Sequence, residues 1–193
     1  MLSYEESLKI LKETNALIEG HFILSSGLHS SQYVQCAQLL SKPTQSNAIC
    51  KSLSEKIINK FKEIDIILSP AMGGIIIGYE IAKLLEKETI FTERVDGKFV
   101  LRRNFNIPKN SKVLIVEDVI TTGKSSMECS EIITKLGGQL VGFACIIDRT
   151  NTNSIIKENI VSQIKLNIPT YSKDNLPKEL LEIKAIKPGS RNL

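Results

Sequence analysis

Two adjacent acids, Glu117 and Asp118, stand between a continuously apolar run, Val113-Leu114-Ile115-Val116, and a turn rich in hydroxyls and glycine, Thr121-Thr122-Gly123-Lys124-Ser125. Such an apolar run reads as a strand covered on both faces of a parallel sheet. The segment after the turn, about Lys124 to Leu136, reads as a helix stopped by Gly137-Gly138. In open α/β sheets ligands bind at the carboxyl ends of strands. A turn entering a helix there offers unpaired backbone N–H groups and the positive end of the helix dipole to a phosphate. Gly123 lets the backbone approach closely, and Thr121, Thr122 and Ser125 add hydroxyl donors. Glu117 and Asp118 can accept hydrogen bonds from two neighbouring sugar hydroxyls. Acids for a diol and a loop for a phosphate suit a ribose 5-phosphate. Gly123-Lys124-Ser125 also mimics the tail of a nucleoside-triphosphate loop, but that motif requires glycine where Asp118 stands. Solvated acids beside an ordinary helix start would account for the residues singly, not for the whole run in this order.

Other charged residues have more than one reading. Arg149 follows the apolar strand Leu140 to Ile147 and could pair with Asp148 at the surface, but its place at a strand end favours a ligand. Arg94 and Lys98 flank Asp96-Gly97, a dipeptide suited to a tight turn between strands Thr89 to Val95 and Lys98 to Arg103. They read equally as solvated hairpin charges and as cations for a phosphate. Arg102 and Arg103 alternate faces of their strand, so at most one faces a site. His29 has no orienting partner nearby and reads as a structural hydrogen-bonding group. With two histidines and four cysteines in no metal spacing, a fixed protein metal site is not expected, and the cysteines read as buried hydrophobes of a reducing cytoplasm.

The elements that must position these residues alternate. Ser3 and Glu6 form a capping-box signature ahead of a helix carrying Tyr4, Leu8, Leu11 and Ile18 and stopping near Gly20. Ile49, Leu53, Ile57 and Phe61 mark a second helix, Asp65 to Pro70 a short buried strand, and an Ile-rich helix runs from near Gly74 to about Glu86. The order implies an α/β fold, a parallel sheet flanked by helices. A single domain is expected, its core about residues 46–168 and a small cap from about 1–45 and 169–193.

The chain has 193 residues, 42% hydrophobic and 24% charged, enough for a full globular core. Its net charge of +4 is spread along the sequence, which argues against nucleic acid as a partner. No apolar run reaches the ~18 residues of a membrane span, and the opening Met1-Leu2-Ser3-Tyr4 lacks a signal-peptide profile. The cytoplasm is the expected compartment.

The run Val113 to Ser125 resembles the phosphoribosyl pyrophosphate (PRPP) motif of type I phosphoribosyltransferases. Two more segments resemble the orotate phosphoribosyltransferases within that group: Phe22-Ile23-Leu24-Ser25-Ser26-Gly27-Leu28-His29-Ser30-Ser31-Gln32-Tyr33 and Leu68-Ser69-Pro70-Ala71-Met72-Gly73-Gly74. Ile147-Asp148-Arg149 stands where that family places an orotate-binding arginine. The resemblance covers about residues 5–150. The chain departs from the family at three places. Ser25 and Gly73 stand where lysines are common, and Thr92 to Lys98 replaces a longer loop with lysines and a histidine.

The resemblance implies that Glu117, Asp118, Val119, Ile120, Thr121, Thr122, Gly123, Lys124 and Ser125 bind PRPP, and that Thr121 and Arg149 meet orotate. It gives Glu117, Asp118, Arg94 and Lys98 the catalytic roles, the last two in the position of the mobile loop, and it implies a homodimer. Magnesium is the expected cofactor, entering with PRPP, because the leaving pyrophosphate develops negative charge. Two alternatives share the PRPP motif. A purine phosphoribosyltransferase would differ in the base pocket, and a PRPP-sensing nucleic-acid-binding regulator would need a coherent basic face or an extra winged-helix segment.

Overall fold

In the computed structural model, residues 1–24, 26–156 and 159–188 are described. Their elements are α1 (Tyr4–Glu13), β1 (Leu17–Ile23), β2 (His29–Val34), α2 (Cys36–Leu40), α3 (Pro43–Lys60), β3 (Ile66–Pro70), α4 (Gly73–Leu85), β4 (Glu88–Val95), β5 (Lys98–Leu101), β6 (Lys112–Ile120), α5 (Lys124–Lys135), β7 (Gln139–Asp148), β8 (Ile160–Lys165) and α6 (Lys178–Leu181). The main sheet has the order β5-β4-β3-β6-β7-β8. All its pairings are parallel except β4 with the edge strand β5.

Alternation along the central strands builds two cores. Ile67, Leu114, Val116, Ala144 and Ile146 face one side, where they meet Leu11 of α1, Leu39 of α2, Leu53 and Ile57 of α3, and Ile77 and Ile81 of α4. Ile66, Leu68, Val113, Ile115, Phe143 and Cys145 face the other, against Cys129 and Ile133 of α5 and Phe99 of β5. Because both faces are covered, these strands read as unbroken apolar runs.

The first helix has the anticipated start: the Glu6 N–H donates to Ser3 Oγ at 3.1 Å, and the Ser3 N–H to Glu6 Oε2 at 2.7 Å. It ends earlier than the apolar spacing suggests, because Asn15 takes a left-handed φ of 58° and breaks the helix. Ile18 therefore lies in β1, not on the helix. β1 and β2 form a separate antiparallel sheet. The C-terminal segment is bonded to it: the Ile23 N–H donates to Ile186 O at 2.8 Å, and His29 and Tyr171 exchange backbone hydrogen bonds. His21 and His29 are buried there, with Nε2 of the first 2.6 Å from Nδ1 of the second.

Candidate active site

Three neighbouring parallel strands, β3, β6 and β7, end side by side, and each hands over a candidate group. β6 runs on to Ile120, past the expected end at Val116, so Glu117 and Asp118 lie within the strand. Successive residues of a strand point to opposite faces. The acids therefore diverge, and do not form a side-by-side clamp. Glu117 turns toward α5, where it accepts a hydrogen bond from the buried Ser126 hydroxyl. Asp118 turns toward α4, where a Cβ built on Gly73 would lie 2.8 Å from both carboxylate oxygens. Glycine at 73, in place of the lysine common in the resembled family, is thus what lets the start of α4 close on Asp118.

Burial decides the ionisation of this pair. Glu117 is 9% exposed, and desolvation pushes its carboxyl up to about 7, against the Ser126 hydrogen bond, which favours the charged form. Burial also raises Asp118 above the ordinary carboxylate range, opposed by the Val119 N–H, which donates to Asp118 Oδ1 at 2.9 Å. A cationic ligand centre or a set of hydroxyl donors would relieve both.

The turn from β6 into α5 has the form of a phosphate loop. Gly123 takes a φ of 79°, and a Cβ there would lie 2.7 Å from Ile156, so any other residue would be strained and crowded. No described backbone carbonyl accepts from the N–H groups of Thr121, Thr122 or Gly123. Thr121, Thr122 and Lys124 are exposed, Ser125 and Val119 half-buried, and Ile120 buried beneath the loop. Thr122 O is held by the Ile155 N–H at 2.9 Å, which braces the loop from the segment following β7.

Arg149 stands beside that loop, its N–H donating to Ile120 O at 2.8 Å. Asp148 is not its partner. Asp148 Oδ1 accepts from the Thr150 N–H at 2.7 Å, and Oδ2 lies 3.3 Å from Lys165 Nζ. The buried Nε of Arg149 has no hydrogen-bond partner among the described residues. Desolvation pulls its pKa down from the ordinary value, yet a guanidinium stays charged. A half-buried guanidinium with a free donor has the chemistry to pair with a planar anion.

The hairpin cations are arranged differently. Arg94 lies 3.1 Å from Glu128 on α5, donates to Gly97 O, and stacks 4.0 Å from the Phe99 ring centroid. Arg102 and Arg103 both pair with Glu93, so neither is turned into the site. Lys98 is exposed at the turn. The Ser25-Ser26-Gly27 turn is exposed at Ser26 and Gly27, while Ser25 lies outside the described residues.

Among the described residues no cluster of three or more His, Cys, Asp or Glu side chains is placed to hold a metal ion, and no helix is long and apolar enough to cross a membrane. All four thiols are free and buried, and burial raises each, Cys129 to about 12, which leaves no thiolate nucleophile. A surface cavity of about 510 Å³ opens at the opposite end of the sheet among Phe61, Asp65, Lys87 and Lys112, away from the acids. Sequence reasoning missed Ser126, and it singled out Gly73 only as a departure from the family's lysine, without its approach to Asp118. A serine in the first helical turn after the loop, and a glycine at the first position of a helix, were the signals.

Residues 38–173 match the family described as phosphoribosyl transferase domain. The chain is 45% identical to an orotate phosphoribosyltransferase of Parvibaculum lavamentivorans over the full length of both. It is 47% identical to one of Methylorubrum populi over 190 residues, 98% of this chain and 97% of that one. The crystal structure of orotate phosphoribosyltransferase from Aeropyrum pernix superposes with a TM-score of 0.71 at 25% identity, covering 82% of this chain and 92% of that one.

Proposed function

The chain belongs to the orotate phosphoribosyltransferase family, and on that premise we propose how its residues divide the transfer of a phosphoribosyl group from PRPP to orotate. The enzyme is a pentosyltransferase of pyrimidine biosynthesis. The bond from the anomeric carbon to the pyrophosphate oxygen breaks, a bond to an orotate ring nitrogen forms as that nitrogen gives up its proton to the departing pyrophosphate or to water, and orotidine 5′-phosphate and pyrophosphate leave. Positive charge builds on the ribose ring as the leaving group departs. Glu117 and Asp118 hold the ribosyl group from opposite faces of β6 and stabilise that charge. Thr121 to Ser125 cradle the 5-phosphate on backbone N–H groups, with Val119 and Ile120 setting the path of the chain. Arg149 takes the orotate carboxylate, with Thr121 beside it.

One observation carries this reading: Arg149, half-buried with a buried and unpartnered Nε, follows β7 next to the acid-bearing strand β6 and its open N–H loop. Purine bases bring no carboxylate for that cation. Magnesium, when bound on PRPP oxygens, supplies charge to the leaving pyrophosphate.

Arg94 and Lys98 close over the pyrophosphate in this account, Arg94 after exchanging its ion pair with Glu128. A homodimer is part of the proposal. It takes support from Met72 at the N-cap of α4 and from Ile76 and Tyr79 within it, exposed by 81%, 51% and 59%. The four reduced, buried thiols support a reducing compartment, the cytoplasm.

The test is to supply PRPP, magnesium and a panel of bases and follow pyrophosphate release. Orotate should be consumed fastest, and chelation should stop the reaction reversibly. Faster use of adenine, hypoxanthine or uracil would overturn the substrate assignment.

A further inference from the structure

Ser126 lies outside the run Val113 to Ser125 that carries the PRPP motif, two residues into α5 from Lys124, and it is fully buried. A buried hydroxyl needs a partner, and this one donates to Glu117 Oε1. Among the described residues it is the one hydrogen-bond donor to that carboxylate. The arrangement follows from the fold. The loop turns the chain back so that the first turn of α5 lies over the end of β6, and the alternation of β6 points Glu117, not Asp118, at that turn.

We propose that Ser126 is the positioning residue for Glu117, fixing its carboxylate at the end of β6 and holding it ionised for the transfer step. The inference rests on the assignment of Glu117 to the ribosyl group. The surroundings of Glu117 otherwise favour the neutral acid. Asp118 on β6 contributes a like charge, and Cys129 of α5 and Cys145 of β7 interact with it electrostatically. The cation that interacts with Cys129 on that side, Arg94, is itself paired with Glu128. Desolvation therefore works against the charged form and the Ser126 hydroxyl works for it. An acid that must stabilise growing positive charge is useful only when ionised, so loss of the hydroxyl should move the pH at which the enzyme becomes competent, more than its capacity once there.

The experiment compares the pH dependence of kcat/KM for wild type and Ser126→Ala. Titration of the substrates is common to both proteins and cancels in the comparison. The acid limb of the variant should move to higher pH by about half a unit or more, and the activity above the limb should stay within about threefold of wild type. In a Glu117→Gln background, where no carboxylate remains to be held, Ser126→Ala should change kcat/KM by less than about twofold. Superimposable limbs, an equal loss at every pH, or a full additional loss in the Glu117→Gln background would each overturn the role of Ser126. Near-normal turnover of Glu117→Gln alone would instead overturn the assignment of Glu117 on which the inference rests.

Discussion

The β6–α5 turn and the β4–β5 hairpin carry charge at the same end of the sheet and treat it in opposite ways. Around the turn, Glu117 of β6 is 9% exposed with a single hydroxyl donor, and Arg149 after β7 keeps a buried Nε without a partner. In the hairpin, Arg94 pairs with Glu128, and Glu93 pairs with both Arg102 and Arg103, the three arginine side chains being 42%, 61% and 60% exposed. Exposed pairs of this kind contribute little to stability, on the order of 0–1 kcal/mol each. Buried charges without full partners are costly and persist where a ligand completes them. In the proposed mechanism substrate completes the turn, whereas the hairpin, its charges already paired, must exchange partners to take part.

The largest effect is expected at Asp118. Asp118→Asn keeps size and packing but removes a preorganised charge, and should raise the barrier by about 2–4 kcal/mol, a fall in turnover of roughly thirtyfold to a thousandfold, with the fold retained. Steady-state rates with a melting curve check this. Turnover near wild type would remove the acid from the mechanism.

Glu117 gives a sharper test, because its cost to the fold has a defined sign. Its carboxyl titrates at about 7 in the folded protein against an ordinary 4.5. Between those values the folded state keeps a proton that the unfolded chain releases, so stability falls as pH rises through this window and stays lower above it. The full effect is on the order of 3 kcal/mol. Glu117→Gln should therefore stabilise the substrate-free protein at pH 8 by about 2–3 kcal/mol, leave it little changed at pH 4, and lower activity. Denaturant melts at the two pH values read this directly, and an equal change at both would show that the site is not desolvated.

The hairpin should respond least. Arg94→Ala with Lys98→Ala should alter stability by no more than about 1 kcal/mol while slowing turnover about tenfold. If the hairpin serves the neighbouring subunit, mixing this variant with Asp118→Asn should restore part of the activity through hybrid dimers. Sedimentation as a monomer, or no rescue after verified exchange, would remove the shared site.

Much of the site was legible because its signals are local. The apolar run Val113 to Val116, the glycine at 123 and the helix after it announce a strand, a turn and a helix start in ten or so residues, and the fold class follows from their repetition along the chain. The divergence of Glu117 and Asp118 was not legible, since the charges hide the continuation of β6 through Val119 and Ile120, and a strand and a turn aim adjacent side chains differently. The β1–β2 sheet was hidden by an accident of spacing: Ile18 falls in step with Leu11, and only the left-handed Asn15 between them marks the break. Strand β8 escaped because Ser162, Gln163 and Lys165 dilute its apolar residues at the sheet edge. The freedom of Arg149 depends on Lys165 and the Thr150 N–H occupying Asp148, a contact between β7 and β8 that no local pattern encodes.

In the proposed division of the site, the end of β6 handles the ribosyl phosphate and the end of β7 handles the base. Arg149→Ala tests it most directly, with KM measured separately for orotate and for PRPP. Loss of a buried charged partner costs about 2–5 kcal/mol, so the KM for orotate should rise at least about tenfold while that for PRPP stays within about twofold. An unchanged KM for orotate, or a parallel rise in both, would contradict the division of the site.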